Sequence, residues 1–417
     1  MHSQILATLF GAAFRVRAAH HIACLLLVGA TLSSAPASAS QLLTPAVGAA
    51  DSAMAGATVA APESPTAAAF ANPASLVLFD PGFVSGSFGL AFGHTGFDAS
   101  APPGYSNRDG FTGYIPEGSV VFGGPRDVRA GLSLYGSLGA SFDTDAQPAS
   151  GVPVEFLSRL GVANVAASVA WNAGDRVSFG IGLTLLLGDI KLRYTPDIPY
   201  HFSVWGPGVQ AIAGVRYQLS DRVALGLGIR SPGMVWASGD MRLPTGEKQD
   251  VELDLDQPAQ VFVGVNADVT DKLHVGVSGR WTDASIFSDS FFRFEETPSG
   301  DIAFIADAND EWRAALGFRY ALTPRFQVRL SASYADSIVG DRTVSPLLID
   351  TEDWKVGGGF TFAWSPDLMF DVTAGHGFEG ERDISAGEAT AFAGEYRMSG
   401  QVVFIGLRAN LWEAWPF

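Results

Sequence analysis

From about residue 80 onward the chain alternates between apolar residues and polar or small residues. In WKVGGGFTFAW, residues 354–364, one face carries large apolar side chains and the other carries Lys355, Thr361 and small residues. The same alternation occurs in FQVRLSASY (326–334), VALGLGIR (223–230), VFVGVNADV (261–269) and LHVGVSGRW (273–281). A period of two is that of a β-strand with one apolar face.

Polar corners interrupt these segments on a regular schedule. Short ones fall at 123–126, 172–176, 220–222, 270–272, 323–325 and 365–367. Longer and more variable links lie near 95–115, 140–160, 195–206, 243–248, 288–308, 340–351 and 380–394. Six tight turns alternating with seven long links predict fourteen antiparallel strands.

Two all-β architectures fit this count. A soluble sandwich or propeller would bury its apolar faces against another sheet and would usually have short strands. Here many strands are predicted to reach about twelve residues, and aromatic residues stand near their ends, at Trp171, Trp281, Tyr334, Trp354 and Trp364. An even strand number, alternating short and long connections and aromatic girdles favour a 14-stranded antiparallel transmembrane β-barrel of the outer membrane.

Residues 1–39 are predicted to be an export signal. Arg15 and Arg17 provide positive charge, an apolar stretch covers 22–32, and Ala37-Ser38-Ala39 is a small-residue cleavage site. Cleavage would remove Cys24, the only cysteine, which excludes disulfides and thiolate chemistry in the mature chain. It would also lower the formal charge from -17 to -19, because two arginines and no acid leave. Such an acidic chain is not expected to bind nucleic acid.

Four cations fall on the less apolar face of their strands. They are Arg230, Arg280, Arg329 and Lys355. A cation facing lipid at the bilayer midplane costs roughly 2–4 kcal/mol, so these side chains should point into the lumen. Acids such as Asp268 and Asp371 are expected to balance them; alternatively, one or two of the arginines hold a ligand carboxylate.

Catalysis is not expected. The histidines outside the export signal are His94, His201, His274 and His376, and none stands in a recognisable serine or acid motif. No metal or cofactor is predicted. The last strand keeps its alternation into a terminal Phe417, which resembles the signal that the outer-membrane assembly machinery reads.

Residues 40–81 lack alternation yet are too apolar for a free tail. If the N-terminus is periplasmic, the barrel lumen is the place to bury them, as a hatch below a barrel of residues 82–417. Asn72 precedes a proline and should be extended, and its side chain can accept a hydrogen bond from the Ala74 N–H. Pro73 can then begin a short helical turn through Leu76.

The stretch SAMAGATVAAPESPTAAAFANPASL, residues 52–76, resembles the hatch of the FadL-type (OMPP1/FadL/TodX) outer-membrane transporters of long-chain fatty acids and other hydrophobic compounds. The resemblance rests on Gly56, Ala67–Ala69 and Asn72-Pro73-Ala74. AGLSLYGSLGASFDTDA, residues 130–146, is similar to the third strand of that family, with Leu138-Gly139 in place of the usual Phe-Gly. In the family this strand is kinked inward and opens a gap in the wall.

The resemblance implies a monomeric channel for passive uptake. A hydrophobic molecule would land on outer-loop residues 153–160 and enter a lumen pocket. Movement of the hatch around Phe70, Asn72, Pro73 and Ala74 would then release it sideways through the gap beside Leu138 and Gly139. A general diffusion porin and an outer-membrane lipid-handling protein are the alternatives, and the cargo is open among fatty acids, hydrocarbons, terpenoids and signalling lipids.

Overall fold

The structure is a computed structural model. It describes residues 43–101, 106–123, 128–146, 154–194, 200–242, 246–294, 302–303, 305, 307–346, 348–385 and 393–411. The predicted export signal with Cys24, residues 40–42 of the predicted hatch and the terminal Phe417 lie outside the described residues.

The described strands form one antiparallel sheet that closes on itself. They are β1 (Phe83–Ala101), β2 (Ser106–Gly123), β3 (Arg129–Ala146), β4 (Val154–Asn172), β5 (Val177–Tyr194), β6 (Tyr200–Ser220), β7 (Val223–Arg230), β8 (Gly233–Arg242), β9 (Lys248–Gln257), β10 (Gln260–Asp268), β11 (Leu273–Thr282), β12 (Phe291–Phe294), β13 (Ile302–Ala303), β14 (Glu311–Thr323), β15 (Phe326–Ala335), β16 (Asp353–Ser365), β17 (Leu368–Ile384) and β18 (Ala393–Asn410). Strand β1 pairs with β18 from Phe83↔Asn410 onward, so a single chain closes the barrel.

The wall itself has fourteen strands. Strands β7 and β8 are two parts of one wall strand, interrupted at Ser231-Pro232, and β9 and β10 are two parts of the next, interrupted at Pro258-Ala259. Proline has no N–H to donate to a neighbouring strand, which explains both interruptions. Strands β12 and β13 form a small hairpin between β11 and β14, after a 3₁₀ helix at Ala284–Asp289. The predicted 14-stranded antiparallel barrel is confirmed.

The outer face of the wall is an apolar band between two aromatic girdles. Leu330 and Ile405 are 67% and 66% exposed. At one end Tyr334 packs on Trp354 with ring centroids 4.9 Å apart, and at the other end Phe362 packs on Trp364 at 6.4 Å. The ten residue steps from 354 to 364, at ~3.3 Å per step and a tilt of about 40°, span about 25 Å along the barrel axis. This is the height of the apolar band of an outer-membrane barrel.

Helices contribute little to the described structure. Among the described residues, no helix combines the length and the apolar character needed to span a bilayer.

The long links are shorter than the sequence predicts. The prediction of a link over 95–115 is wrong, because β1 continues to Ala101 and β2 begins at Ser106. Likewise β3 reaches Ala146 and β4 begins at Val154, inside the predicted link 140–160. Beyond the bilayer the outward face of a strand is polar, so the apolar alternation that marks a strand fades there although the pairing continues.

Residues 43–82, here called the N-terminal segment, do not join the wall. They contain a short helix at Ala49–Ser52, a helix at Pro65–Ala71 and a 3₁₀ helix at Pro73–Leu78. Ser64 begins the second helix: its side chain accepts a hydrogen bond from the Ala67 N–H at 3.2 Å, and Pro65 occupies the first helical position. The first wall strand starts at Phe83, after Gly82 with a φ of 84°.

Candidate functional site

Glycines on the inner face of the wall leave room for the N-terminal segment. A Cβ atom added to Gly228 would collide with the Ala71 carbonyl oxygen, and one added to Gly276 would collide with the Ala57 carbonyl oxygen. The same close approach occurs at Gly180, Gly214, Gly226, Gly317 and Gly406. These glycines belong to β5, β6, β7, β11, β14 and β18, so the segment touches the wall on many sides.

Asn72 makes the predicted corner and also ties it to the wall. Its backbone is extended, with φ -156° and ψ 94°, and its Oδ1 accepts from the Ala74 N–H at 3.2 Å. The amide Nδ2 donates to the carbonyl oxygens of Val59 and Val215, both at 3.1 Å. The predicted Asx-type corner and the helical turn that Pro73 begins are confirmed. Because Val215 belongs to β6, Asn72 also fixes the corner against the wall.

Phe70 lies in an aromatic box with a cation. Its ring makes edge contacts with Tyr135 and Phe262, each at 5.5 Å between centroids. The Arg230 guanidinium stands 4.9 Å from the Phe70 centroid, and its Nη2 donates to the Phe70 carbonyl oxygen at 2.5 Å. Cation–π attraction is stronger in such a desolvated place than at a surface.

Glu63 is the meeting point of three wall arginines. Its Oε2 lies 3.0 Å from Arg408 Nη1 and 3.2 Å from Arg329 Nη2, and its Oε1 pairs with Arg319. Burial alone would raise the pKa of the Glu63 carboxyl, but the three guanidinium groups outweigh burial and hold its pKa well below the ordinary value. Glu63 is therefore a carboxylate that binds the N-terminal segment to β14, β15 and β18.

A second ion-pair cluster lies on β11 and β14. Arg280 Nη2 pairs with Glu311 Oε2 at 2.9 Å, and Arg280 Nη1 donates to the Thr44 carbonyl oxygen at 2.7 Å. Arg313 pairs with the same carboxylate at 3.4 Å. Arg280, Arg313 and Glu311 are all buried.

The predicted inward direction of the four wall cations is confirmed, but their predicted partners are wrong. Asp268 pairs with His274 at 2.9 Å, and Asp371 pairs with Arg408 at 2.7 Å. The actual partners are Glu63 for Arg329, Glu311 for Arg280, Asp353 for Lys355 at 2.5 Å, and the Phe70 carbonyl for Arg230. The partners of Arg329 and Arg230 belong to the N-terminal segment, and its position cannot be predicted from the strand patterns.

Apolar side chains fill the outer part of the lumen. The inward positions of the wall strands and the outer links contribute a buried group, here called the outer apolar cluster: Phe97, Phe111, Ile115, Leu138, Leu160, Val162, Leu186, Ile190, Phe202, Val204, Val235, Leu253, Phe287, Ile338, Val339, Tyr396, Met398 and Phe404, among others. The lumen of a porin is polar by comparison.

A cavity lies between the N-terminal segment and strands β15 to β18. It holds about 770 Å³ of space, part of it open to solvent. Ile115, Val402 and Phe404 form its apolar side, and Thr44, Pro45 and Ala46 belong to the segment. Among its described lining residues Lys355 is the sole lysine or arginine, and it is paired with Asp353.

The third wall strand departs from its neighbour. The described pairing of β2 with β3 runs from Gly123↔Arg129 to Gly118↔Leu134, whereas β3 pairs with β4 as far as Ala146↔Val154. The β3–β4 register shifts between Gly136 and Leu138. There Leu138 forms an isolated bridge with Leu43, and the Thr44 N–H donates to the Ser137 carbonyl oxygen at 3.0 Å. Gly139 pairs with Gly161 on β4.

The predicted landing site over 153–160 is not an outer loop. Leu157, Arg159 and Leu160 lie within β4, and Leu160 is buried in the outer apolar cluster. The prediction took an extension of a strand beyond the bilayer for a loop. Residues 151–153 lie outside the described residues.

A closed barrel with a lipid-facing apolar band and an apolar lumen defines an outer-membrane channel. The sequence model of the family described as "Outer membrane protein transport protein (OMPP1/FadL/TodX)" matches residues 200–411. The chain belongs to this family, and it is an outer-membrane channel for hydrophobic compounds rather than an enzyme. Its bacterial outer-membrane location and its monomeric barrel agree with the predictions.

Solved structures share the fold. A FadL homologue of Pseudomonas aeruginosa superposes with a TM-score of 0.76 at 17% identity, covering 89% of this chain and 99% of that one. The toluene transporter TodX of Pseudomonas putida gives 0.69 at 18% identity, covering 89% and 100%. The toluene transporter TbuX of Ralstonia pickettii gives 0.65 at 18% identity, covering 88% and 98%. A search of curated protein sequences finds no match.

Proposed function

We propose that the protein is a passive channel for uncharged hydrophobic molecules such as hydrocarbons. The observation that carries the proposal is the continuity of apolar surface from the outer apolar cluster to Ile115, Val402 and Phe404 in the cavity. A hydrophobic solute gains about 0.8 kcal/mol for each CH₂ group that it buries. It therefore moves along such a surface without crossing an aqueous barrier, and its concentration gradient alone sets the direction.

The charges in the cavity favour an uncharged cargo. Lys355 already has Asp353 as its partner, and Arg230, Arg280 and Arg329 are engaged by the N-terminal segment or by Glu311. A ligand carboxylate would have to displace one of these partners. TodX of P. putida and TbuX of R. pickettii, which share the fold, are toluene transporters.

Long-chain fatty acids are the second candidate. Arg313 is buried, and its Nε and Nη1 atoms have no hydrogen-bond partner among the described residues. It lines a smaller cavity of about 430 Å³ together with Arg280, Phe70 and Phe262. A carboxylate entering there would meet two donor nitrogen atoms of Arg313 that have no other partner among the described residues.

The N-terminal segment is proposed to be the hatch that closes the lumen below the cavity. Thr44, Pro45 and Ala46 border the cavity, and the neighbouring Leu43 bridges to Leu138 on the third wall strand. Displacement of this part of the segment would free β3 where its described pairing with β2 has ended. The cargo would then leave sideways into the bilayer beside Leu138 and Gly139. Phe70, Asn72, Pro73 and Ala74 are the proposed pivot, because Asn72 fixes the corner to β6.

Uptake and conductance test the cargo class. Cells that lack the protein should take up toluene more slowly, and expression of the chain should restore uptake. Oleate uptake in the same cells separates the two candidates, because only the second predicts that loss of the protein slows oleate uptake. The purified channel should show no large, steady ion conductance in planar bilayers. Such a conductance, combined with normal toluene and oleate uptake in the deletion strain, would establish a general porin instead.

A reversible disulfide tests the hatch. Antiparallel partners lie about 4.5–5.5 Å apart between Cα atoms, which is within disulfide range, so Leu43→Cys with Leu138→Cys should join the segment to β3. Uptake should stop on oxidation and return on reduction. The matched control, Val265→Cys with Val277→Cys, joins two outward positions that are already paired in the wall and should leave uptake unchanged. Full transport with the Leu43–Leu138 link closed would rule out the moving hatch.

A further inference from the structure

Cations gather on the outward face of the barrel near the outer ends of β4, β5, β6, β8 and β9. The whole chain has only 26 lysines and arginines against 43 acids. Six basic side chains nevertheless share this face, here called the outer basic surface: Arg159, Lys191, Arg193, His201, Arg242 and Lys248. They are neighbours in the sheet, because the register pairs Arg159↔Lys191, Arg193↔His201, His201↔Arg242 and Arg242↔Lys248.

The outer basic surface lies at the height of the lipid headgroups. Along β5 the outward positions from Phe179 to Leu187 are apolar, and the next ones are Asp189, Lys191 and Arg193. The twelve residue steps from 179 to 191, along a strand tilted by about 40°, rise about 30 Å along the barrel axis, just beyond the ~25 Å apolar band. Trp205 is 57% exposed and pairs with Asp189, the outward position of β5 just before Lys191. An exposed tryptophan at this height marks the interface between the bilayer and water.

A phosphate group can replace the carboxylates that now pair with cations on this surface. Lys191 pairs with Asp189 at 3.1 Å, but the two side chains are each 48% exposed. Exposed pairs of this kind contribute about 0–1 kcal/mol, so a phosphate can compete for the lysine. Arg159 and Arg242 have no carboxylate partner within the ranges that the structure describes, and a guanidinium can bind a phosphate through two parallel hydrogen bonds.

The charge is confined to one side of the barrel. On the side formed by β17, β18 and β1, Arg397 at comparable height is surrounded by Asp98, Glu381 and Glu395. On β8 and β9 the outward positions next to Arg242 and Lys248 are acidic: they are Asp240, Asp250 and Glu252, and Asp240 pairs with Lys248 at 2.7 Å. The outer basic surface ends there. A surface that attracted anions in general would not need its cations on one side of the barrel only.

We propose that the outer basic surface binds the phosphate groups of the outer-leaflet glycolipid, lipopolysaccharide. The phosphates would lie on Arg159, Lys191 and Arg193, and the acyl chains would lie on the exposed apolar positions of β5 below them, such as Leu183 and Leu185. The lipid would thus hold one side of the barrel, next to β4 and the third wall strand. The proposal concerns the outer surface and does not depend on which cargo the lumen carries.

Binding of fluorescent lipopolysaccharide to the full chain in detergent, with a chelator present, tests the proposal. Each cation near a lipid phosphate is worth about fivefold in affinity, so Arg159→Gln, Lys191→Gln and Arg193→Gln together should weaken binding about a hundredfold. The charge-keeping variant Arg159→Lys, Lys191→Arg, Arg193→Lys should stay within about tenfold of the wild type. The matched control Arg108→Gln with Arg397→Gln, on the acidic side, should change affinity less than about threefold.

Two further arms identify the source of the phosphate. Dephosphorylated glycolipid with the same acyl chains should lose the binding, and millimolar inorganic phosphate should not displace the intact lipid. Equal losses in the triple variant and the control, or binding that persists without lipid phosphates, would overturn the proposal. So would binding that disappears with the chelator, because the acids would then hold the lipid through divalent cations. The folded mobility of each variant on an unheated gel shows that the barrel is intact.

Discussion

Glu63→Gln should loosen the N-terminal segment more than any other single change of charge. The substitution keeps the shape of the side chain and removes the carboxylate that Arg319, Arg329 and Arg408 share. The side chains of Arg329 and Arg408 are only 1% and 6% exposed, so water cannot replace the lost charge while the segment stays in place. The closed arrangement is destabilised, whereas the displaced arrangement, with solvated arginines, is not.

The magnitude follows from which partners remain. Removing one member of a buried ion pair costs about 3–5 kcal/mol. Arg408 keeps Asp371 at 2.7 Å, and Arg329 keeps the Thr361 hydroxyl oxygen at 2.6 Å, so the lower end of that range applies. A loss of about 3 kcal/mol raises the displaced population about a hundredfold, since each 1.36 kcal/mol is a factor of ten.

Hydrogen exchange of the purified protein measures that population directly. Amides of the N-terminal segment, such as that of Ala60, which donates to Asn266 Oδ1 at 3.0 Å, should exchange about a hundredfold faster in the variant. Amides of the wall strands should not change. The matched control is Glu379→Gln, which breaks an exposed pair with Arg108 and should leave segment exchange within about threefold of the wild type.

The result that would refute the reasoning is unchanged exchange in the segment. It would mean that Glu63 adds nothing to the attachment beyond the hydrogen bonds from Asn72 to the Val215 carbonyl and from Arg230 to the Phe70 carbonyl. Faster exchange in wall and segment alike would instead assign Glu63 to the stability of the whole barrel.

Three further predictions follow from the same contacts. Burial raises the pKa of Asp51 to about 6 from 3.8, so the folded segment binds this proton more tightly and should become more stable as pH falls from 7 towards 4. Asp51→Asn should remove the part of that dependence that comes from Asp51, worth roughly 3 kcal/mol at most, in segment exchange recorded at pH 5 and 7. Gly228→Ala places a methyl against the Ala71 carbonyl and should cost about 1–3 kcal/mol of segment stability, whereas Gly96→Ala, with its nearest neighbour atom 3.6 Å away, should not. Leu330→Arg, at an outward position midway between the girdles, should cost the barrel about 2–4 kcal/mol in vesicle unfolding by urea; a smaller loss than for Leu330→Ala would contradict the assigned bilayer face.

Sequence patterns predicted the wall better than its ends. Period-two alternation reports the pleat and the difference between lipid and lumen, so it gave the fourteen strands and the inward direction of Arg230, Arg280 and Arg329. It failed over 95–115, where the outward face is polar although Phe97 and Phe111 stay buried inside. Local corners were also predictable, as with Asn72, because the Asx-type turn depends only on adjacent residues.

The partners of the wall arginines were not predictable from strand patterns. Arg329 meets Glu63 across a separation of 266 residues, and only the packing of the N-terminal segment brings them together. One signal was available: between Asp51 and Asp80, Glu63 is the sole charged residue in an otherwise apolar and small-residue stretch. A lone carboxylate that is buried with such a segment needs a cation as its partner, and the inward arginines of the wall can provide one.

In the proposed function the segment leaves its place and returns, and the way in which it is attached suits that movement. Buried ion pairs stabilise a protein little compared with apolar replacements. A buried charge that loses its partner is nevertheless costly, so the ion pairs favour the one position of the segment in which every charge is paired. At Gly228 and Gly276 the wall offers no side chains that would interlock with the segment, so displacement has to unpack apolar contacts only elsewhere, as between Phe70 and the rings of Tyr135 and Phe262. Once displaced, Glu63 and its arginines would be hydrated by water in the lumen, which would offset part of the lost ion pairing. Leu43 is bridged to Leu138, so if the segment moves as proposed, the displacement that opens the floor of the cavity would also release the third wall strand.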